Sequence, residues 1–151
     1  MTVHDILGGA DEAQIRAVLD ALAQAICEKD AAAAAAAYAT DAVICDLAPP
    51  LSRSVSPDAN REILEGWFAT WRGPIGYETR EVGVTKSGHL AVTRGFLRIH
   101  GTKADGERPD VWARQTLVLR KLGGAWRIVH EHTSVPFYMD GSLKAAVDLQ
   151  P

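Results

Sequence analysis

The sequence lacks the features that mark several specialised classes of protein. It has two cysteines in 151 residues, Cys27 and Cys45, and both stand among apolar neighbours. This excludes a disulfide framework and predicts buried, reduced thiols. No basic run is present and the formal net charge is −3, which argues against a nucleic-acid partner. No apolar run approaches the ~20 residues of a membrane-spanning helix, so no membrane partner is expected.

The chain also begins without a recognisable targeting signal. Residues 1–5 show no cationic segment followed by an apolar core, so we expect no signal peptide and a cytoplasmic location. A composition of 47% hydrophobic and 23% charged residues is that of an ordinary soluble globular protein. The length predicts one domain over residues 1–151, with its core at about 11–137 and a C-terminal tail at 138–151.

Helical spacing dominates the first part of the chain. Asp11 is a candidate N-cap for a helix predicted from about Glu12 to Glu28. Its apolar stripe consists of Ile15, Val18, Leu19, Leu22 and Ile26. Asp30 followed by seven alanines predicts a short second helix that runs through Tyr38. A third helix is predicted to begin at Ser56-Pro57-Asp58 and to end at Gly73-Pro74. It carries Ile63, Leu64, Trp67, Phe68 and Trp71.

Alternating apolar residues predict strands elsewhere. A short strand is predicted at 42–47, and long strands are predicted at 77–86, 90–100, 111–121 and 125–136. Residues 142–149 are predicted to form a short terminal helix. Helices followed by a meander of long strands predict an α+β domain with the helices on one face of the sheet. The strand at 111–121 is apolar on both faces, so the face away from the helices also needs a packing partner. We therefore expect a homodimer formed through the sheet.

The last predicted strand carries side chains suited to acid–base catalysis or metal binding. Alternation places His130, His132 and Ser134 on one face and Glu131 on the other. We interpret the first face as lining a cavity and nominate His132 as an acid–base group. Two structural histidines, or a metal site formed with Asp46, are the alternatives, although His-x-His alone is weak evidence for a metal. We expect Glu131 to bind a partner chain or Arg127.

Asp46 and Arg114 are the charged candidates for the same cavity. Asp46 ends a short apolar strand, where a dry environment tunes a carboxylate toward proton transfer. Alternatively, it caps a loop amide near Leu51 to Ser54. Arg114 shares a strand face with Trp112, and a guanidinium inside a cavity is either paired with Asp46 or Glu131 or binds an anionic ligand.

Aromatic residues offer a wall for a flat organic ligand, or simply a core. Trp67, Trp71 and Trp112 could form such a wall, and we favour core for Trp67 and cavity rim for Trp71. Trp126 is expected in the core. Residues 137–139 either close over the cavity mouth or pack against a partner.

Three segments together resemble a known family. They are Tyr38–Asp46 after two helices, the Trp67–Trp71 helix ended by Gly73-Pro74, and Trp126–Pro136. Their order and spacing resemble the SnoaL-like, ketosteroid-isomerase-like branch of the nuclear-transport-factor-2-like superfamily. The resemblance implies a cone, in which a strongly bent mixed or antiparallel sheet wraps around N-terminal helices as a cystatin-like α+β barrel with a deep pocket. It also implies a dimer.

The resemblance brings one candidate base but not a full catalytic set. Ketosteroid isomerases carry a general-base aspartate eight residues after a tyrosine, and Tyr38 and Asp46 hold these positions. The family's first-helix tyrosine falls on Leu22, and its protonated aspartate falls near Arg114 or Gln115. Classical steroid isomerisation is therefore not expected.

The resulting hypothesis is a SnoaL-like small-molecule pocket protein. Acting without a cofactor or metal, it would be an acid–base isomerase, cyclase or dehydratase, with Asp46, His132 and Arg114 converging as the catalytic residues. Expected pocket residues are Tyr38, Trp71, Trp112, His130 and Ser134. The alternative is a non-catalytic ligand-binding or dimerisation module of the same superfamily.

Overall fold

The computed structural model describes residues 3–151, with side chains from residue 9 onward. In chain order the elements are α1 (Val3–Glu28), α2 (Ala31–Ala36), β1 (Tyr38–Cys45), β2 (Arg53–Ser54), α3 (Pro57–Ala69), β3 (Trp71–Ser87), β4 (Leu90–Lys103), β5 (Asp110–Leu122) and β6 (Ala125–Ser134). The strands described form one sheet in the order β2-β1-β6-β5-β4-β3. β1 and β6 pair in parallel and the other neighbours are antiparallel. The predicted α+β class with a curved mixed sheet is confirmed.

α1 packs its apolar stripe against the sheet, as the spacing predicts. Ile15, Leu22 and Ile26 are buried. The helix begins at Val3 rather than near Glu12, so Asp11 lies inside it and is not its N-cap. The Asp11 carboxylate instead accepts hydrogen bonds from two lysines and a tryptophan on the sheet: Lys121 at 2.9 Å, Lys86 at 3.0 Å and Trp126 at 3.2 Å.

α2 and α3 begin at the caps that the sequence indicates. The Asp30 side chain accepts a hydrogen bond from the Ala33 amide at 2.9 Å, although α2 ends at Ala36 because β1 begins at Tyr38. The Ser56 hydroxyl caps α3 by accepting from the Ala59 amide at 3.2 Å. α3 ends before Gly73-Pro74 because Trp71 already pairs with Lys103 of β4.

A β-bulge in β6 changes which face its last residues occupy. Ile128 pairs with Leu119, and His130 pairs with Val118, so one extra residue of β6 is accommodated between the two pairs. Alternation therefore resets, and Glu131 and Thr133 become buried, like Ile128 before the bulge. Alternation along a regular strand had placed Glu131 on the face opposite the core. That prediction was wrong because of the bulge.

The two faces of the sheet differ in character. On β5, Ala113 and Leu117 are buried on the face toward the helices, whereas Arg114 and Thr116 are exposed on the outer face. Trp112 also lies on the outer face, where the Arg80 guanidinium stacks 4.6 Å from its ring centroid.

Residues 135–151 form turns closed by a bridge between Phe137 and Ala145, so the predicted helix at 142–149 was wrong. Here Tyr138 donates its amide to the Lys144 carbonyl at 2.9 Å. Among the described residues, none of the helices combines the length and apolarity that a membrane span requires.

Candidate functional site

A cavity of about 270 Å³ lies between α3, the inner face of the sheet and the loop after β1. Its apolar wall includes Ile26, Ile44, Ile63, Leu64, Trp67, Leu97 and Ile99. Its polar side chains are Tyr38, Asp46, Arg53, Asn60, Tyr77, Glu131 and Thr133. The lining residues Leu47, Pro49 and Ile63 are exposed, so the cavity opens to solvent beside them. The walls are therefore mainly apolar, with a small set of polar groups.

Glu131 stands at the centre of a hydrogen-bond network in the wall. The Tyr38 hydroxyl donates to Glu131 Oε2 at 2.5 Å, and the Thr133 hydroxyl donates to Oε1 at 3.2 Å. The Gln115 amide donates to Thr133 Oγ1 at 3.3 Å and to the Tyr77 hydroxyl at 3.2 Å. The network holds the carboxylate in one orientation on β6.

Burial shifts the proton affinity of this network. Removal from water raises the pKa of Glu131, the negative charge of Asp46 raises it further, and hydrogen bonds from Tyr38 and Thr133 oppose the shift. The pKa values of Tyr38 and Tyr77 also rise, mainly through burial and then through the nearby charge of Glu131. Both phenols consequently stay protonated near neutral pH.

Asp46 lines the cavity, as predicted, and is held by the loop that follows it and by the short strand β2. Its Oδ2 forms an ion pair with Arg53 Nη2 at 2.6 Å, and its Oδ1 accepts from the Ala48 amide at 3.1 Å. This resembles the loop-capping alternative, although the amide belongs to Ala48 and not to 51–54. The ion pair neutralises the charge of Asp46. Among the described residues, no lysine, arginine or histidine forms an ion pair with Glu131.

The predicted convergence of Asp46, Arg114 and His132 was wrong. Arg114 and His132 are exposed on the outer face of the sheet, and neither lines the cavity. The β6 bulge explains His132, and Arg114 lies on the β5 face opposite Ala113. Within the part of the chain described, Arg114 has no acidic partner, so neither of its predicted pairings forms.

The two residues of β6 predicted as pocket residues also lie on the outer side. His130 Nδ1 is 2.9 Å from the Val43 carbonyl oxygen. Ser134 pairs with Arg114 across the ladder and does not line the cavity. In residues 9–151, no three His, Cys, Asp or Glu side chains lie close enough together to hold a metal ion.

The tryptophans are arranged differently from the prediction. Trp67 lines the cavity, whereas Trp71 is buried in the core with Lys103 Nζ 3.9 Å from its ring centroid. The expected roles of these two residues are thus exchanged. Trp112 lies on the outer face, and Trp126 is in the core, as predicted. Residues 137–139 do not line the cavity.

Sequence reasoning missed several residues of the site. A signal for Asn60 was present, because it precedes Ile63 and Leu64 by three and four residues and so continues the apolar stripe of α3. Gln115 follows from alternation with Ala113 once the buried face of β5 is known. Arg53 lies in a segment predicted as a loop and carried no signal.

Comparisons with known proteins agree with this fold. The model of the SnoaL-like domain matches residues 15–138, and the chain belongs to this family. An NTF2-like protein of unknown function from Pseudomonas putida KT2440 is similar, with 31% identity, a TM-score of 0.84, and coverage of 95% of this chain and 98% of that chain. A ketosteroid isomerase-like protein from Erwinia carotovora atroseptica SCRI1043 has 27% identity, a TM-score of 0.68, and coverage of 81% and 93%.

A provisionally named scytalone dehydratase from Novosphingobium aromaticivorans DSM 12444 shares the fold at 16% identity. Its TM-score is 0.75, and the match covers 95% of this chain and 96% of that chain. No curated protein matches this chain.

Proposed function

We propose that the cavity binds a small organic molecule and that Glu131 transfers a proton on it. The reaction class would be a cofactor-free isomerisation, cyclisation or dehydration. The observation that carries the proposal is a buried carboxylate in the wall of a mainly apolar, solvent-reached cavity, with its pKa raised by burial. A carboxyl group with a raised pKa gains and loses its proton closer to neutral pH than an exposed carboxyl group does.

The neighbours of Glu131 support a role in proton transfer. The bond from Tyr38 at 2.5 Å keeps one carboxylate oxygen in place, and Thr133 holds the other. Ionised Glu131 would accept a proton from the substrate and, once protonated, return it to a different atom. The apolar walls limit water around the reacting groups, which strengthens electrostatic interactions inside the cavity.

The comparisons agree with this reaction class at a coarse level. One similar structure is named as ketosteroid isomerase-like and another, with only the fold in common, is provisionally named as a dehydratase. Isomerisation and dehydration are both reactions that an acid and a base can catalyse alone. The proposal departs from the family resemblance in using Glu131 rather than Asp46, because Arg53 neutralises Asp46.

A nitrobenzisoxazole tests the proposed base directly, since its ring opens to a coloured phenolate when a base removes one C–H proton. Wild-type protein should accelerate this reaction, and Glu131→Gln should lower the rate by about 10²-fold, within the range of general-base effects. Glu65→Gln is the matched control, because Glu65 is exposed on α3 and should leave the rate unchanged.

Asp46→Asn distinguishes the two carboxylates. Because the charge of Asp46 raises the pKa of Glu131, this variant should stay active and move its pH–rate profile toward lower pH. Loss of activity in Asp46→Asn but not in Glu131→Gln would reassign the base to Asp46. If native mass spectrometry detects retained organic molecules and neither variant changes the rate, the protein is a ligand-binding module instead.

A further inference from the structure

The size of the cavity limits which molecules it can hold. Its volume is about 270 Å³. An apolar protein cavity of about 150 Å³ holds a single benzene ring, whereas sites for drug-sized ligands span about 300–1,000 Å³. The cavity of this protein therefore has room for roughly two fused six-membered rings with small substituents. A larger polycyclic compound would have to leave part of its ring system in water.

Trp67 forms the part of the cavity wall that adjoins the hydrophobic core. It lies on α3, lines the cavity and packs against the core residues Phe68 and Trp71. Ile63, about one helical turn earlier, also lines the cavity but is 40% exposed, so it lies at the mouth. The wall formed by α3 thus runs from solvent at Ile63 to the core at Trp67.

Aromatic neighbours hold the Trp67 ring in place. Its centroid is 6.0 Å from that of Trp71, with the two planes at 87°, and 5.5 Å from that of Phe68. Trp71 is itself closely packed, because Lys103 Nζ lies 3.9 Å from its ring centroid and a Cβ on Gly101 would lie 3.2 Å from the ring. These contacts resist any movement of the Trp67 indole toward the core.

The sheet side of the cavity is also firmly packed. Tyr77 of β3 pairs with Ile99 of β4, and Leu97 lies two residues away on β4. All three line the cavity, and Tyr77 and Leu97 are buried. In a close-packed interior, each bulky side chain takes away space that a ligand would otherwise fill. Trp67 is the largest of the side chains that line the cavity, so it has the largest effect on the space available at the inner end.

We propose that Trp67 is the specificity-determining residue of the cavity and restricts its ligands to compact compounds with one or two rings. This inference rests on the proposed function, because it assumes that the cavity binds a small organic molecule. The indole occupies the space into which a third ring would extend. An aromatic side chain in an apolar wall also favours flat, ring-containing ligands. The nitrobenzisoxazole used to test Glu131 has two fused rings and lies within this limit.

Phenols with one, two and three fused rings test the size limit: phenol, 2-naphthol and 9-phenanthrol. Their dissociation constants for the whole protein are measured by ligand-observed NMR near pH 7, where the phenols are uncharged. Wild-type protein should bind 2-naphthol more tightly than phenol, because more apolar surface is buried. It should bind 9-phenanthrol no more tightly than 2-naphthol, because the third ring stays in water. Without a size limit, burial of that ring would strengthen binding by about 10-fold.

Substitution of Trp67 should remove the limit. Trp67→Leu extends the cavity toward the core and should bind 9-phenanthrol about 10-fold more tightly than 2-naphthol. Trp67→Phe should show a smaller gain in the same direction, and it provides the result if the leucine variant does not fold. Phe137→Leu is the matched control, because Phe137 is 60% exposed and does not line the cavity. Ile63→Ala changes the mouth instead. Neither of these two variants should bring the gain.

Four results would overturn the size limit: tighter binding of 9-phenanthrol than of 2-naphthol by wild type, no gain in either Trp67 variant, an equal gain in the control variants, or no binding of 2-naphthol. If the size limit fails while Glu131→Gln still slows the benzisoxazole reaction, only this inference is refuted. If no phenol binds and the benzisoxazole rate is independent of Glu131, the proposed function fails as well.

Discussion

Glu131 illustrates, at the scale of the single residue, how neighbours make a buried carboxylate tolerable. Its burial on the inner face of β6 disfavours the charged form, and hydrogen bonds from Tyr38, Thr133 and, at 3.5 Å, the Gln115 amide offset part of that cost. Tyr38 provides the shortest of these bonds, at 2.5 Å. The group is thus retained at an energetic cost, which is a common property of functional sites.

The raised pKa of Glu131 predicts how stability depends on pH. Above the unfolded-state pKa of 4.5, the folded protein holds this proton more tightly than the unfolded chain, so the contribution of Glu131 falls as pH rises through the folded-state pKa. Urea unfolding at several pH values should show the free energy of wild type decreasing relative to Glu131→Gln above pH 4.5, at no more than about 1.4 kcal/mol per pH unit.

Glu65→Gln is again the control, because an exposed carboxyl should produce no comparable slope. A free-energy difference between wild type and Glu131→Gln that stays constant, or that grows in favour of wild type as pH rises, would show that the pKa of Glu131 is not raised.

At the scale of the element, α3 connects local sequence signals to the cavity. The Ser56 hydroxyl fixes where the helix begins by accepting from the Ala59 amide. From that start, the helical period carries Asn60 and Trp67 onto the face that lines the cavity. The cap therefore influences the site through helix position, not through contact with a ligand.

Replacement of this cap measures its contribution. Ser56→Ala leaves one amide of the first turn without its side-chain acceptor and should lower the free energy of unfolding by about 1 kcal/mol, as determined by urea denaturation. Ser52→Ala, in the exposed loop before β2, should change it by less than about 0.5 kcal/mol. Equal effects of the two changes would contradict a capping role.

At the scale of the whole molecule, the outer face of the sheet combines apolar and basic side chains. Arg94 and Arg114 are exposed there, and Trp112 lies between Arg80 and Arg98. A face of this kind on an open sheet is a candidate interface, and a homodimer through it stays a prediction. Acidic side chains are present too, because Arg98 forms ion pairs with Glu78 and Asp110.

A single added charge tests the dimer. Val118 is half-buried on the outer face of β5, and Val118→Lys would place another cation among like charges. In sedimentation experiments, wild type should behave as a particle of twice the chain mass and the variant as a single chain. Ala33→Lys, an exposed change on α2, is the control and should leave the mass unchanged. Wild-type protein sedimenting as a single chain would refute the predicted interface.

The parts of the fold that could be predicted depend on contacts close in sequence. The caps at Asp30 and Ser56 satisfy amides three residues away, and the stripe with Ile15, Leu22 and Ile26 follows from the helical period. Such interactions are visible in any window of a few residues. For this reason the order of the first three helices and the five longer strands agreed with the sequence. The start of α1, the short strand β2 and the predicted terminal helix did not.

The candidate site was predicted only in part, since its assembly depends on distant residues. Tyr38 and Asp46 line the cavity as expected, but the bulge before His130 exchanged the roles of Glu131 and His132. A bulge depends on how two strands fit together across the sheet, and alternation within one strand cannot indicate it. Similarly, the pairing of Asp46 with Arg53 depends on the path of a loop.

The amino-acid sequence by itself determined the class of fold and which carboxyl and phenol groups are available for chemistry, because composition and local periodicity encode these properties. The family was indicated separately, by the resemblance of three segments. Only the tertiary structure decided that Glu131 lies inside the cavity, that Arg114 lies outside it, and that Trp67 rather than Trp71 lines it. These outcomes depend on strand register and on which face of the sheet the helices cover, and both are set by packing between segments far apart in the chain.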